Sequence, residues 1–282
     1  MILITGCKGQ LGLELSLMLP DALITDYDEL DITDEMAVKQ FVKKNNVDSI
    51  INCAAYTAVD KAEDEPEQCS KINVNGPCNL AKTGAKMLHI STDYVFDGSI
   101  CRPYTEDVPI NPLGVYAKTK AEGERMVFKY AKTATVIRAS WLYSRYGTNF
   151  VKTMLRLGAE RKELNIVFDQ IGSPTYAYDL ATAVLVALKD MQDGKQCLYH
   201  YSNEGVASWY DFACAIMELK NLSCTIYPIK TAQYPTKAIR PHYSVLDKTK
   251  IKSELDITIP YWRDSLEICL KNIPTDCFSE RN

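Results

Sequence analysis

The chain opens "MILITGCKGQLGLEL" (residues 1–15), and this stretch decides the fold. A short apolar run ends in Gly6, and a helical pattern begins between Gly9 and Gly12. A strand that passes through closely spaced glycines straight into a helix is the opening βα unit of a doubly wound sheet. Glycine lets the backbone turn sharply and approach a pyrophosphate with no Cβ in the way. The helix that follows offers free N–H groups and the positive end of its dipole to an anion. Gly6, Lys8, Gly9, Gln10, Leu11 and Gly12 are therefore candidate contacts for a dinucleotide. The glycine spacing alone would be ordinary punctuation; its place between an N-terminal strand and a helix gives it meaning.

Further along, "ALIT" (22–25), "DSIINCA" (48–54), "KMLHIST" (86–92) and "TATVIRA" (133–139) repeat the short run, apolar on both sides. Such runs suit parallel strands covered by helices on both faces. Helical stretches fall near 11–19, 34–45, 66–84 and 116–132. The βαβαβ order predicts an α/β fold, a Rossmann-like doubly wound parallel sheet over residues 1–147. Beyond 147 the rhythm changes. "NFVKTMLRLGAERK" (149–162) reads as a helix, "LNIVFD" (164–169) as a strand, and about 176–190 as a helix. Short elements without regular alternation follow from 193. The expectation is a smaller, partly interleaved α/β substrate lobe built from 148–162 and 193–282, with 163–192 returning to the first domain.

Composition narrows the function classes. The 282 residues are 46% hydrophobic and 24% charged, with net charge −4 and the two signs interspersed. No basic footprint points to nucleic acid or to an anionic membrane surface. The longest apolar run, "LATAVLVAL" (180–188), is half a membrane span. Because residues 1–5 read as a strand, no secretory leader is expected. Ten cysteines form no CxxC pair, and only His89, His200 and His242 accompany them. The expectation is therefore no metal site, with the cysteines as reduced structural thiols of a cytoplasmic protein.

Asp26 follows the second strand, 20 positions beyond Gly6. A carboxylate there accepts hydrogen bonds from adenosine ribose hydroxyls and repels a 2′-phosphate. It also starts a turn in the acid-rich "DYDELD", while Lys8 would favour the 2′-phosphate, so both NADH and NADPH stay open. Asp31 and Ile32 of "LDIT" are candidates to lie against adenine. "NCAAYT" (52–57), with Ala54, Ala55 and Tyr56, would pass beneath the cofactor towards its nicotinamide.

The chemistry lies in "HISTDYVFDG" (89–98) and "GVYAKTKAEGE" (114–124). The first ends a strand with Ser91 and Thr92 at the carboxyl edge, where such sheets bind ligands. In the second, Tyr116 and Lys120 stand at i and i+4 and share a helix face, with Lys118 on another. Met126, Val127, Tyr130 and Ala131 supply the apolar stripe of this helix, and Gly123 on the same side allows close packing. Hydride transfer to a ketone leaves charge on its oxygen that must be met by a proton. A free Tyr titrates at about 10, and a cation within about 4–6 Å lowers such a value by about 1–3 units. Lys120 is expected to do this for Tyr116 while holding the ribose hydroxyls, and Thr92 to orient the carbonyl oxygen.

Together with "GCKGQLG", "LDITD", "NCAAYTAVDKAE", "NPLGVYAKTKAEGE", "RASWLY", "GTNFVKTML", "DQIGSPT" and "RPHYSVLD", these motifs run in order from residue 6 to about 247. In them the chain resembles the extended short-chain dehydrogenase/reductase superfamily and, within it, the dTDP-4-dehydrorhamnose reductase family. The resemblance implies that Thr92, Tyr116 and Lys120 are the catalytic set. It implies NADPH- or NADH-dependent reduction of the C4 ketone of a dTDP-linked 4-keto-6-deoxy sugar, with Tyr94 and Trp141 lining the sugar pocket. Related dehydratases carry Thr-Asp-Glu, whereas here the run is Thr92-Asp93-Tyr94. Tyr27 replaces a basic residue frequent in relatives. Some relatives bind a divalent metal at a subunit contact, but no ligand set for one transfers to this chain. For the substrate diphosphate, Arg240 is the first candidate, since a planar guanidinium grips such oxygens with two bonds, and Lys152 the second. A homodimer is compatible with this family. The competing reading is a non-catalytic cofactor-binding subunit of the type that regulates methionine adenosyltransferase; the intact Thr92, Tyr116 and Lys120 favour the enzyme.

Overall fold

A strand buried on both faces needs apolar side chains pointing both ways, and the computed structural model, which describes residues 1–273, places such runs at the centre of the fold. In order come β1 (Ile2–Thr5), α1 (Gln10–Met18), β2 (Leu23–Thr25), α2 (Glu35–Lys44), β3 (Ser49–Asn52), α3 (Val59–Ala62), α4 (Pro66–Ser70), α5 (Gly76–Ala81), β4 (Lys86–Thr92), α6 (Val115–Tyr130) and β5 (Ala134–Ala139). They are followed by β6 (Leu142–Tyr143), α7 (Phe150–Glu160), β7 (Glu163–Val167), β8 (Ile171–Gly172), β9 (Thr175–Tyr176), α8 (Ala177–Asp190) and β10 (Gln196–Tyr201). The last are β11 (Ala207–Ser208), α9 (Trp209–Leu219), β12 (Thr225–Ile229), α10 (Thr249–Leu255) and α11 (Trp262–Lys271).

Six strands form one parallel sheet in the order β2-β1-β3-β4-β5-β10. The register sets Leu3 opposite Ile50 and Leu23. Alternate residues face opposite sides of a strand. Leu3, Ile50, Met87 and Val136 meet Val38, Leu80 and Val127 on one face. Ile4, Ile51, Leu88 and Ile137 meet Leu11, Leu15, Leu180 and Val184 on the other. The doubly wound sheet expected from the sequence is the fold observed.

Three expectations need correction. Residues 66–84 do not form one helix: α4 and α5 are separated by a wider turn at Lys71–Asn75, closed by the Gly76 N–H on the Lys71 carbonyl. Pro77 has no N–H to donate and its ring crowds the preceding turn, which forces the extra residue. The loosened turn is also where α6 packs, since a Cβ on Gly123 would overlap the Asn73 carbonyl oxygen. Tyr130 is not part of the apolar stripe; it is exposed, beside the ammonium groups of Lys82 and Lys129.

The third concerns the interleaving of the lobes. Within 163–192, only α8 packs on the sheet, while β7 pairs with β12 and belongs with the second lobe. Conversely β10, placed by the sequence reading in the substrate lobe, is the outer strand of the main sheet, and Ile251 and Leu255 of α10 join the same core. The second lobe is organised around Val151, Met154, Leu155, Phe212, Ile216, Trp262 and Leu266. Residues 274–282 of the lobe as expected from the sequence lie outside the described residues. Among the described residues no helix is long and apolar enough to cross a membrane, and no group of three or more His, Cys, Asp or Glu stands together as a metal site would require.

Candidate active site

The chain passes from β1 outward to β2, then crosses back to β3 on the other side of β1. This reversal opens a crevice beyond the strand ends. The crevice is a cleft of about 950 Å³, lined by the glycine loop, residues 53–55, the end of β4, the first turns of α6, and Trp141, Phe150, Trp209 and Arg240 from the other side.

Gly6 has φ +71, and a Cβ there would lie 2.6 Å from the Ala54 nitrogen, so the loop after β1 presses directly on the loop after β3. A Cβ on Gly12 would overlap the Gly6 carbonyl oxygen. The first residue before α1 is Gly9, with no side-chain cap. The N–H groups of Gln10, Leu11 and Gly12 thus have no partner inside their own helix and line the cleft. An anion such as a dinucleotide pyrophosphate fits this cradle.

Asp26 stands at the cleft and also starts a turn. It lines the cleft, accepts from the Lys8 N–H at 3.0 Å, and its carbonyl accepts from Leu30 in the turn. Lys8 directs its ammonium to Asp28 at 2.8 Å and Glu29 at 3.6 Å, so its charge is spent on rim acids. Replacing Asp26 with Ala removes one carboxylate from the place a 2′-phosphate would occupy, and should raise the NADPH:NADH ratio of kcat/KM by roughly an order of magnitude. An unchanged ratio in steady-state kinetics with both cofactors would leave Asp26 as a turn residue only. Asp31, Ile32, Ala54 and Ala55 line the cleft. Tyr56 does not: its hydroxyl donates to Glu65 at 2.8 Å, and its backbone is fixed by the Asn73 amide.

At the chemical end, Thr92, Tyr94, Tyr116 and Lys120 all face the same cleft, and Lys118 is exposed elsewhere. Lys120 is 2% exposed, and its ammonium donates to the Ile90 carbonyl at 2.7 Å. Burial pulls its pKa down to about 8, against the opposing influence of Glu124. The lowered Tyr116 pKa expected from Lys120 is a correction. Burial pushes the phenol above its ordinary range; the Thr92 hydroxyl opposes this, and the Asp93 and Cys69 side chains add to it. The Lys120 ammonium is turned to a carbonyl, and desolvation wins over the cation.

Sequence reasoning passed over Asp93. It is 2% exposed; one oxygen accepts from the Thr92 hydroxyl at 3.1 Å and the other is without a hydrogen-bond partner, although the Ser244 hydroxyl is near enough to favour the charge. Burial pushes its pKa up to about 7. Between the unfolded value of 3.8 and this one, the folded protein holds a proton that the unfolded chain has lost. Stability therefore falls as pH rises through that window, by on the order of 3–4 kcal/mol at its upper end. Asp93→Asn should raise Tm at pH 8 much more than at pH 4.5. A variant that is no more stable than the parent in thermal unfolding at either pH would contradict this.

The far wall is aromatic. Trp141 sits at φ +45, unusual for a bulky residue, with its indole stacked on Trp209 at 3.6 Å and 5°. Phe150 tilts against Trp209 at 4.7 Å. Trp209 was not foreseen, because its only signal is its place just after the Ser208 helix cap. Lys152 does not line the cleft and directs its ammonium to the Arg145 carbonyl at 3.4 Å. Arg240 does line it, but its fork is already on Asp60, at 2.6 and 3.1 Å.

The RmlD substrate binding domain family matches residues 1–274. The chain belongs to this family. It is 42% identical to the dTDP-4-dehydrorhamnose reductase of Aggregatibacter actinomycetemcomitans, over 94% of this chain and 97% of that protein. It is 41% identical to the spore coat polysaccharide biosynthesis protein SpsK of Bacillus subtilis (strain 168), over 98% and 99%. The crystal structure of the dTDP-4-dehydrorhamnose reductase of Bacillus anthracis str. Ames in complex with NADP superposes with a TM-score of 0.92 at 38% identity, covering 96% of this chain and 98% of that one. The resemblance read from the motifs is borne out along nearly the full length of an RmlD-type chain.

Proposed function

We propose that this chain is an NADPH- or NADH-dependent reductase of the C4 ketone of dTDP-4-dehydro-L-rhamnose, giving dTDP-L-rhamnose. The observation that carries the reading is the convergence of Thr92, Tyr116 and Lys120 beside the glycine cradle in one cleft, in a chain similar over its length to reductases of that name. When bound, the reduced nicotinamide supplies the hydride. Gly6 to Gly12 would hold its pyrophosphate, and Asp26 its adenosine ribose. Asp31 and Ile32 would meet the adenine, and Ala54 and Ala55 would line the path of the dinucleotide. Tyr94 and Trp141 enclose the sugar.

As the ketone carbon gains hydride, its oxygen gains negative charge, and Tyr116 gives that oxygen its phenolic proton. An elevated phenol pKa suits this direction, since the donor must be protonated at neutral pH and an alkoxide is a far stronger base. Lys120, on the same face of α6 as Tyr116, would hold the ribose hydroxyls of the bound cofactor with its ammonium. Thr92 has one hydrogen to donate, and it is directed at Asp93. A neutral Asp93 carboxyl donates a hydrogen of its own and leaves the Thr92 hydroxyl free to turn to the ketone oxygen.

Stereochemical identity tests the reading. With dTDP-4-dehydro-L-rhamnose and the unepimerised 4-keto D-sugar offered in parallel, the L-sugar should be reduced much faster, and NMR of the product should show dTDP-L-rhamnose. Preference for the D-sugar would assign the chain to another dTDP-deoxysugar.

A further inference from the structure

We propose that Asp60 is a positioning residue for the substrate end of the cleft, acting by holding Arg240 against Tyr94. The proposal rests on the reductase reading above. Asp60 lies on α3 in the first domain, and Arg240 lies 180 positions later, on a loop from the other side. One Asp60 oxygen accepts from Arg240 Nη1 at 3.1 Å and from the Ala238 N–H at 3.0 Å; the other accepts from Arg240 Nη2 at 2.6 Å. This is a two-bond fork, the geometry that fixes a guanidinium in direction as well as place. Arg240 is only 20% exposed, and the Ala238 carbonyl takes a further bond from Nη1 at 3.3 Å.

The pairing changes what Arg240 can do. With its charge balanced by Asp60, it offers the cleft directed donors rather than net attraction for a diphosphate. Its other neighbour is the hydroxyl of Tyr94, whose ring packs edge-on to Tyr116 at 5.9 Å and 83°. Arg240 thus reaches the wall of the ketone end through Tyr94. The same acidic turn serves the catalytic helix: Glu63 accepts from the Val115 N–H at 2.8 Å, one residue before Tyr116. A short turn between 59 and 65 therefore joins the substrate-lobe loop to the first turn of α6.

The molecule contains its own control. Asp64 pairs with Lys237, tying the same turn to the same loop, but neither residue lines the cleft. A simple tether would make the two ion pairs equivalent. A positioning role makes only Asp60 matter to the sugar.

The test compares Asp60→Asn, Asp64→Asn, Arg240→Gln and the Asp60→Asn/Arg240→Gln double variant, all in the full-length protein. Asp60→Asn should raise KM for dTDP-4-dehydro-L-rhamnose roughly tenfold and lower kcat several-fold, with the Kd for NADPH unchanged, and the double variant should be no worse than Arg240→Gln alone. Asp64→Asn should leave all three constants within about twofold of wild type. The same comparison is made by calorimetry as the Kd for dTDP-L-rhamnose, which needs no turnover. Equal effects of Asp60→Asn and Asp64→Asn, or independent effects of Asp60→Asn and Arg240→Gln, would overturn the proposal. Wild type that binds the sugar nucleotide without turnover would instead count against the reductase reading, and the binding comparison would still decide the role of Asp60.

Discussion

Tyr116→Phe should abolish nearly all turnover while cofactor and sugar nucleotide still bind. The phenyl ring keeps the edge-on contact with Tyr94, so the shape of the ketone end survives. What goes is the proton donor. General acid catalysis of this kind contributes roughly 10²–10⁴-fold, and the loss should appear in kcat with KM little changed. Thermal stability should be the same or slightly higher, because the phenol hydroxyl is held in surroundings that desolvate it. Steady-state kinetics and NADPH titration of the purified variant check both halves. A variant retaining more than a tenth of wild-type kcat would remove Tyr116 from the role of acid.

Lys120→Met has the second largest expected effect, and differs in kind. On the proposed mechanism the ammonium serves both the ribose hydroxyls and the proton transfer from Tyr116, so the variant should lose turnover by roughly 10²-fold or more and also bind cofactor more weakly. Burial holds the Lys120 pKa down at about 8, which means the charged form is present below that pH and disappears above it. Wild-type kcat/KM should therefore fall as pH rises through about 8, and the variant should lose that alkaline limb. A folded-state pKa below the ordinary lysine value also means that keeping the ammonium buried costs stability at neutral pH. Lys120→Met should accordingly be no less stable than wild type, which separates lost chemistry from lost folding. A variant with normal NADPH affinity would limit Lys120 to the proton-transfer step.

Most of the first domain was legible because each strand announces itself twice, by an apolar run and by the loop that ends it. "MILIT" followed by Gly6 is enough to place β1, the cradle and the cleft. Tyr116 and Lys120 were legible for a local reason, since helical spacing alone puts them on one face. Elements whose identity depends on distant partners were not. β10 reads as an isolated short strand, and only its pairing with β5 makes it the sheet's outer strand. The wide turn at 71–75 follows from Gly76-Pro77, a signal present in the sequence but overridden by the helical pattern around it. Asp60 meets Arg240, and Trp209 meets Trp141, across long stretches of chain that no periodicity spans. Charge balance was hidden in the same way. Arg240 looked like a free cation and Lys120 like a neighbour able to acidify Tyr116, and in both cases the structure supplies a partner that decides otherwise.

On the proposed function this cleft transfers hydride from a reduced nicotinamide to a dTDP-linked 4-keto sugar, with Tyr116 closing the reaction by a proton. Its most direct measurement follows the absorbance of NADPH, and separately of NADH, on adding dTDP-4-dehydro-L-rhamnose to wild type and to Tyr116→Phe. Wild type should oxidise one cofactor for each sugar consumed, while Tyr116→Phe should bind both ligands and stay nearly silent. Wild-type protein that binds cofactor and sugar nucleotide yet consumes neither would contradict it, and would leave the chain as a cofactor-binding protein with a preserved but idle site.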